Sequence, residues 1–195
     1  MADAPLDRLW AGWRSTYIAS TVESRAEVTG AAAEAGNGGN GGDGDNGGEP
    51  ASVFTRILTS GLPDEESHIV WRGRLTFVIL NAYPYTSGHV LVMPYREVGD
   101  LEDLTGDEQA ELWSTVRDTV VAMKAAYRPE GINVGANLGA EAGAGVPGHL
   151  HIHVLPRWAG DTNFMTSIAQ TRVLPEPLED SWAKLRAAWP AGFAG

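Results

Sequence analysis

An α+β domain organised around an antiparallel sheet of about five strands, with two main helices, is the architecture this sequence predicts. Three observations carry that prediction. Residues 75–80 (LTFVIL) and 89–93 (HVLVM) are apolar runs of strand length separated by a turn-rich octet, the pattern of a hairpin. Residues 149–155 (HLHIHVL) alternate histidine with apolar side chains, as a half-buried strand does. The helical stretches are interposed between runs of strands rather than following each strand, which suits an antiparallel sheet better than a parallel doubly wound one.

Along the chain, residues 1–28 read as an N-terminal arm. Trp10 and Trp13 stand close together there, with Tyr17 and Ile18 following, as in an arm that docks on its own domain or on a second subunit. Residues 29–52 read as a flexible linker or insertion. Residues 36–48 (GNGGNGGDGDNGG) hold eight glycines in thirteen and no apolar side chain, so nothing there offsets the entropy of ordering. A glycine-rich phosphate loop is the alternative, but the lysine and the flanking strand and helix are lacking. The domain proper is expected over 53–195.

Within it, residues 81–88 (NAYPYTSG) are dense in turn formers and Pro94 closes the returning strand. Thr105 and Glu108 form a capping-box pattern, and Asp107 suits the positive end of a helix. Leu112, Val116, Val120, Met123 and Tyr127 then recur at helical spacing until Pro129 and Gly131. Residues 132–138 (INVGANL) read as a third strand and 149–155 as a fourth. A last helix near 176–189 puts Leu178, Trp182, Leu185 and Trp189 on one face.

Composition narrows the function classes. The 195 residues are 43% apolar and contain no cysteine, which excludes disulfides, thiolate catalysis and cysteine-bound zinc. A net charge of −11 argues against gripping a nucleic-acid backbone, although backbone N–H groups can still hold a small phosphorylated ligand. No apolar run is long enough to span a membrane. Residues Met1-Ala2-Asp3-Ala4 open no basic-then-apolar leader, so the expectation is cytoplasmic.

The chemistry concentrates at His149, His151 and His153. Strand alternation puts these three on one face and Leu150, Ile152 and Val154 on the other. Neutral imidazole is a good nucleophile near pH 7 and can attack an α-phosphorus, forming a phosphoramidate. Flanking histidines then supply donors or orient the central ring, and an acceptor must hold one ring nitrogen so that the other keeps its lone pair. Two other readings fit the same residues: satisfied histidines in a polar core, and a metal site that adds His89. Just upstream, Gly139, Gly143, Gly145 and Gly148 allow close backbone approach, and successive N–H groups there would cradle a phosphate. An ordinary connection is the alternative.

HLHIHVL, together with NAYPYTSGHVLVMPYREV, NVGANLG and PRWAGDTNFM, resembles the histidine triad family. LWAGWR resembles the arm of the bacterial branch that includes diadenosine tetraphosphate phosphorylases. The resemblance covers residues 53–165. It implies a homodimer whose two sheets join and a nucleotide such as a dinucleoside polyphosphate as partner; no cofactor or metal is expected. It implies cleavage through a nucleotidyl-histidine, by hydrolysis or phosphorolysis, with His151 as nucleophile. His153 then falls where the family donates to phosphate, and His149 and His89 where it orients the nucleophile. Asn81 falls near a ribose contact, Asn137 near a phosphate or leaving-group contact, and Trp158 near the substrate, or else in packing. Relatives carry polar residues where Ala144 and Gly145 stand, and many carry a zinc-binding cysteine pair where Ser52–Thr55 stands. The alternatives are a nucleoside phosphoramidate hydrolase and a non-catalytic nucleotide sensor.

Overall fold

The computed structural model describes residues 51–161 and 176–190. The expected arm (1–28) and all but the last two residues of the expected linker lie outside them.

The described chain begins with a short helix, α1 (Val53–Thr59), and a single helical turn, α2 (Asp64–Ser67). Five strands follow: β1 (Ile69–Arg72), β2 (Thr76–Leu80), β3 (Val90–Pro94), β4 (Gly131–Gly135) and β5 (Ile152–Arg157). The long helix α3 (Gly106–Tyr127) joins β3 to β4, and α4 (Leu178–Ala187) comes last. The strands form one sheet in the order β1-β2-β3-β5-β4, every pair antiparallel. The hairpin β2–β3 and the capping box are where the sequence places them. The Thr105 side chain accepts from the Glu108 N–H while Glu108 accepts from the Thr105 N–H.

The two sheet faces bury different things. One is a core of Val78, Leu80, Val90, Val92, Ile152 and Val154, covered by Leu112, Val116 and Met123 of α3 and Leu185 of α4. Those α3 residues stand four and seven positions apart, the spacing of one helical face. The other face carries Phe77, Ile79, Leu91 and Met93 and is covered by Phe54 of α1. α4 also covers the β1 edge, where Trp182 Nε1–H donates to the Ile69 carbonyl and Arg186 to that of Val70. No helix among the described residues is long and apolar enough to cross a membrane.

Two strand expectations are corrected. β4 stops at Gly135, three residues before the expected end, and Asn137 turns its amide onto the Gly143 carbonyl instead. β5 begins at Ile152, not at residue 149. The last β3 pairing is Val92 with Ile152, and before it the Leu150 N–H leaves the ladder for the Val98 carbonyl, at 2.6 Å. His149 and His151 therefore stand on the approach to the strand. The fifth strand is β1 with its bulge at Ile69/Trp71, which the apolar pattern did not reveal.

Candidate active site

The site is built where β5 begins, between the β2–β3 hairpin loop and the N-terminus of α1. Four histidines meet there, and their neighbours fix where each proton sits.

His151 Nδ1 lies 2.8 Å from the carbonyl oxygen of His149. A carbonyl can only accept, so Nδ1 carries the proton and Nε2 keeps its lone pair. His151 is 7% exposed, and this burial pushes the imidazole below its ordinary range, against the pull of the carbonyl. His151 is thereby a neutral imidazole with an unprotonated Nε2.

A second chain runs through His89 and His153. The Tyr85 N–H donates to His89 Nδ1 at 3.0 Å, which leaves the His89 proton on Nε2. His89 Nε2–H then donates to His153 Nδ1, also at 3.0 Å, and so the His153 proton resides on Nε2. The His151 and His153 rings meet edge to face, 5.0 Å apart, putting a lone pair and a donor side by side. The Tyr85 ring lies against both His89 and His153.

His149 is placed differently. It is fully buried, with Nε2–H donating to the Pro94 carbonyl and Nδ1 accepting from the Ser52 hydroxyl, each at 2.8 Å. Both nitrogens are thus committed, and neither offers a lone pair to a metal shared with His151. Ser52 and Phe54 belong to the stretch that the resemblance aligns with a cysteine pair. Ser52 caps α1 through the Thr55 N–H, and Phe54 packs against the rings of His149 and His151 at 5.5 and 5.7 Å.

The remaining expected residues are placed as follows. Asn81 accepts from the Tyr83 N–H at 2.9 Å, and its Nδ2 lies 3.4 Å from His89 Nδ1, so its amide shapes the hairpin loop beside the histidines. Gly143 adopts φ 91° and donates its N–H to the Ala140 carbonyl, while the Ala144 N–H donates to that of Gly139. Two N–H groups of the expected cradle are thus used within the loop. The Trp158 ring stands edge-on to Tyr127 of α3, at 6.2 Å, and its backbone N–H donates to Asp161.

Sequence reasoning missed Ser52, Phe54 and Tyr85 as parts of the site. A serine followed by Phe54, Ile57 and Leu58 at helical spacing was the available signal for the first two.

The HIT domain profile matches residues 63–160. The chain is 41% identical over 184 residues to the AP-4-A phosphorylase of Mycobacterium tuberculosis, covering 94% of this chain and 85% of that one. It is 36% identical over 95 residues to the asymmetrical bis(5'-nucleosyl)-tetraphosphatase of Schizosaccharomyces pombe, covering 49% and 52%. Among solved structures, a zinc-bound histidine triad family protein from Mycobacterium smegmatis superposes with a TM-score of 0.57 at 30% identity, over 70% of this chain and 91% of that one.

Proposed function

The chain belongs to the HIT domain family, and from that membership and the proton arrangement of its histidines we propose that it cleaves a dinucleoside polyphosphate such as diadenosine tetraphosphate through a nucleotidyl-His151 intermediate. The observation that carries this reading is the 2.8 Å bond from His151 Nδ1–H to the His149 carbonyl, which leaves the Nε2 lone pair as nucleophile.

The steps follow from the protons. His151 Nε2 attacks an α-phosphorus, a P–N bond forms, and the P–O bond to the remaining nucleoside polyphosphate breaks. His153 Nε2–H donates to the phosphoryl oxygens, where the negative charge grows. Its donor form is set by His89 and the Tyr85 N–H. Water or inorganic phosphate then attacks the same phosphorus, the P–N bond breaks, and His151 returns to its neutral form. Asn81, Asn137, Gly143, Gly145 and Trp158 are read as substrate contacts. His149 supports the nucleophile through its carbonyl.

The reading includes a cytoplasmic homodimer. Supporting it, β4 pairs on one side only among the described residues and carries Val134, 44% exposed, as a strand edge awaiting a second sheet does. One observation favours the sensor alternative: the Gly143 and Ala144 amides already bond within the loop, and Ala144 offers no polar side chain to a phosphate.

Incubation with diadenosine tetraphosphate, with and without inorganic phosphate, tests the proposal. ATP plus ADP only in the presence of phosphate identifies a phosphorylase, and ATP plus AMP without it a hydrolase. No product in either tube overturns the dinucleoside reading, and turnover of a nucleoside phosphoramidate would then identify the alternative.

A further inference from the structure

We propose that Ser52 is a positioning residue for the nucleophile, acting on His151 through the side chain and the carbonyl of His149. The inference rests on the reading of His151 as nucleophile and adds a residue that the triad pattern does not contain.

The His149 carbonyl must itself be held in place. That carbonyl fixes the His151 tautomer, yet residues 149–151 precede β5 and gain no strand pairing. Their backbone is tied by the His149 N–H to the Val146 carbonyl and the Leu150 N–H to that of Val98. Beyond these, the His149 side chain anchors the segment at both ends of its ring, on the Pro94 carbonyl at the end of β3 and on the Ser52 hydroxyl at the start of α1. Because the Pro94 carbonyl takes the Nε2 proton, Nδ1 must accept, and Ser52 supplies the donor.

Ser52 is itself held from two directions. Its N–H donates to Glu97 Oε1 at 2.9 Å, and its hydroxyl oxygen accepts from the Thr55 N–H at 3.2 Å. The Thr55 hydroxyl and the Ser52 N–H draw the Glu97 carboxyl below the usual carboxylate range, so this clamp stays ionised at neutral pH. A serine placed 97 residues before His149 in the chain therefore controls one ring nitrogen of a fully buried histidine. Remove the hydroxyl and Nδ1 becomes a buried acceptor without a donor, which the ring relieves by turning. The turn shifts the carbonyl on which His151 depends.

Ser52→Gly separates this role from helix capping, since glycine is tolerated at an N-cap nearly as well as serine. Ser52→Thr restores both cap and donor. Two readouts are taken on each protein: steady-state kinetics with diadenosine tetraphosphate, and the imidazole ring ¹⁵N shifts of His149 and His151. The wild type is expected to hold His149 as the Nε2–H and His151 as the Nδ1–H tautomer. Ser52→Gly is expected to mix the His151 tautomers and lower kcat by about 10- to 100-fold with KM within about twofold, the size of effect a small misplacement of a reacting group produces. Ser52→Thr should return both to wild type. Unchanged His151 shifts in Ser52→Gly overturn the proposal, as does a kcat loss that Ser52→Thr shares. If the wild type turns over no dinucleoside polyphosphate, the functional reading fails, while the ring shifts still decide the Ser52 linkage.

Discussion

His89 Nε2 and His153 Nδ1 lie 3.0 Å apart, and this one contact assigns the protons of both rings, because the Tyr85 N–H already occupies His89 Nδ1. His153 thus presents a proton at Nε2 beside a neighbour, His151, that presents a lone pair.

Replacing His89 with alanine leaves His153 free to place its proton on Nδ1, where it serves no phosphate. The expected loss in kcat is about 10²-fold, the low end for losing one donor to the developing charge. Because a glutamine amide keeps a donor near the Nε2 position, His89→Gln is expected to retain more activity than His89→Ala. Steady-state kinetics of the two variants checks the order, and equal losses would contradict a donor role.

The acid limb of kcat/KM should lie below pH 6.5, the ordinary histidine value, because burial disfavours the charged form of His151. The same shift has a stability consequence. The folded pKa is depressed, so below 6.5 the unfolded chain binds more protons than the folded one, and stability falls as pH drops from 6.5 toward the folded pKa. Above 6.5 the contribution vanishes. Urea midpoints at pH 7.5 and 5.5 are expected to differ less in His151→Gln than in the wild type.

Gly88→Ala is expected to damage fold and site together. Gly88 has φ +77°, and a Cβ there would stand 2.6 Å from the Tyr127 ring, one residue before His89. A destabilisation of about 1–3 kcal/mol is expected from the forced backbone alone. Thermal unfolding and kcat on the one variant check both parts.

Glu108 predicts acid sensitivity of α3 rather than of catalysis. Hydrogen bonds from Arg96 and from Thr105 hold its carboxyl down to about 2, against an ordinary 4.5. The folded pKa is depressed, so this stabilisation is complete above 4.5 and is lost as pH falls toward 2. Glu108→Ala is expected to cost about 1 kcal/mol at pH 7, a typical value for a lost cap. The gap from wild type should close near pH 2 in urea titrations.

What was legible in the sequence follows the range of the interactions. The hairpin 75–93, the Thr105–Glu108 cap and the Leu112–Met123 stripe are local patterns, and each is found in place. HLHIHVL revealed its histidines but not its register. Alternation states which side chains share a face and not where the partner strand ends, and here pairing with β3 ends at Ile152. The cap-and-spacing signal for α1 was masked because VFTRILT is rich in β-branched residues, and its helix rests on the Ser52 cap and on Phe54 packed against distant histidines. β1 has only four residues and a bulge, too short for alternation to register. For the nucleophile alone, the sequence called for an acceptor at one ring nitrogen. That this acceptor is the His149 carbonyl, and that His149 is itself pinned by Ser52, needed the folded chain.

The central claim is that His151 Nε2 forms a covalent bond to phosphorus. Mixing the protein with diadenosine tetraphosphate without phosphate, quenching in alkali to preserve the acid-labile P–N bond, and mapping the adduct by peptide mass spectrometry tests it most directly. The account predicts a nucleotidyl group on His151, absent from His151→Ala and lost when phosphate or water is allowed time to act. Turnover with no adduct in His151-containing peptides, an adduct on His149 or His153, or unimpaired turnover by His151→Ala would contradict it.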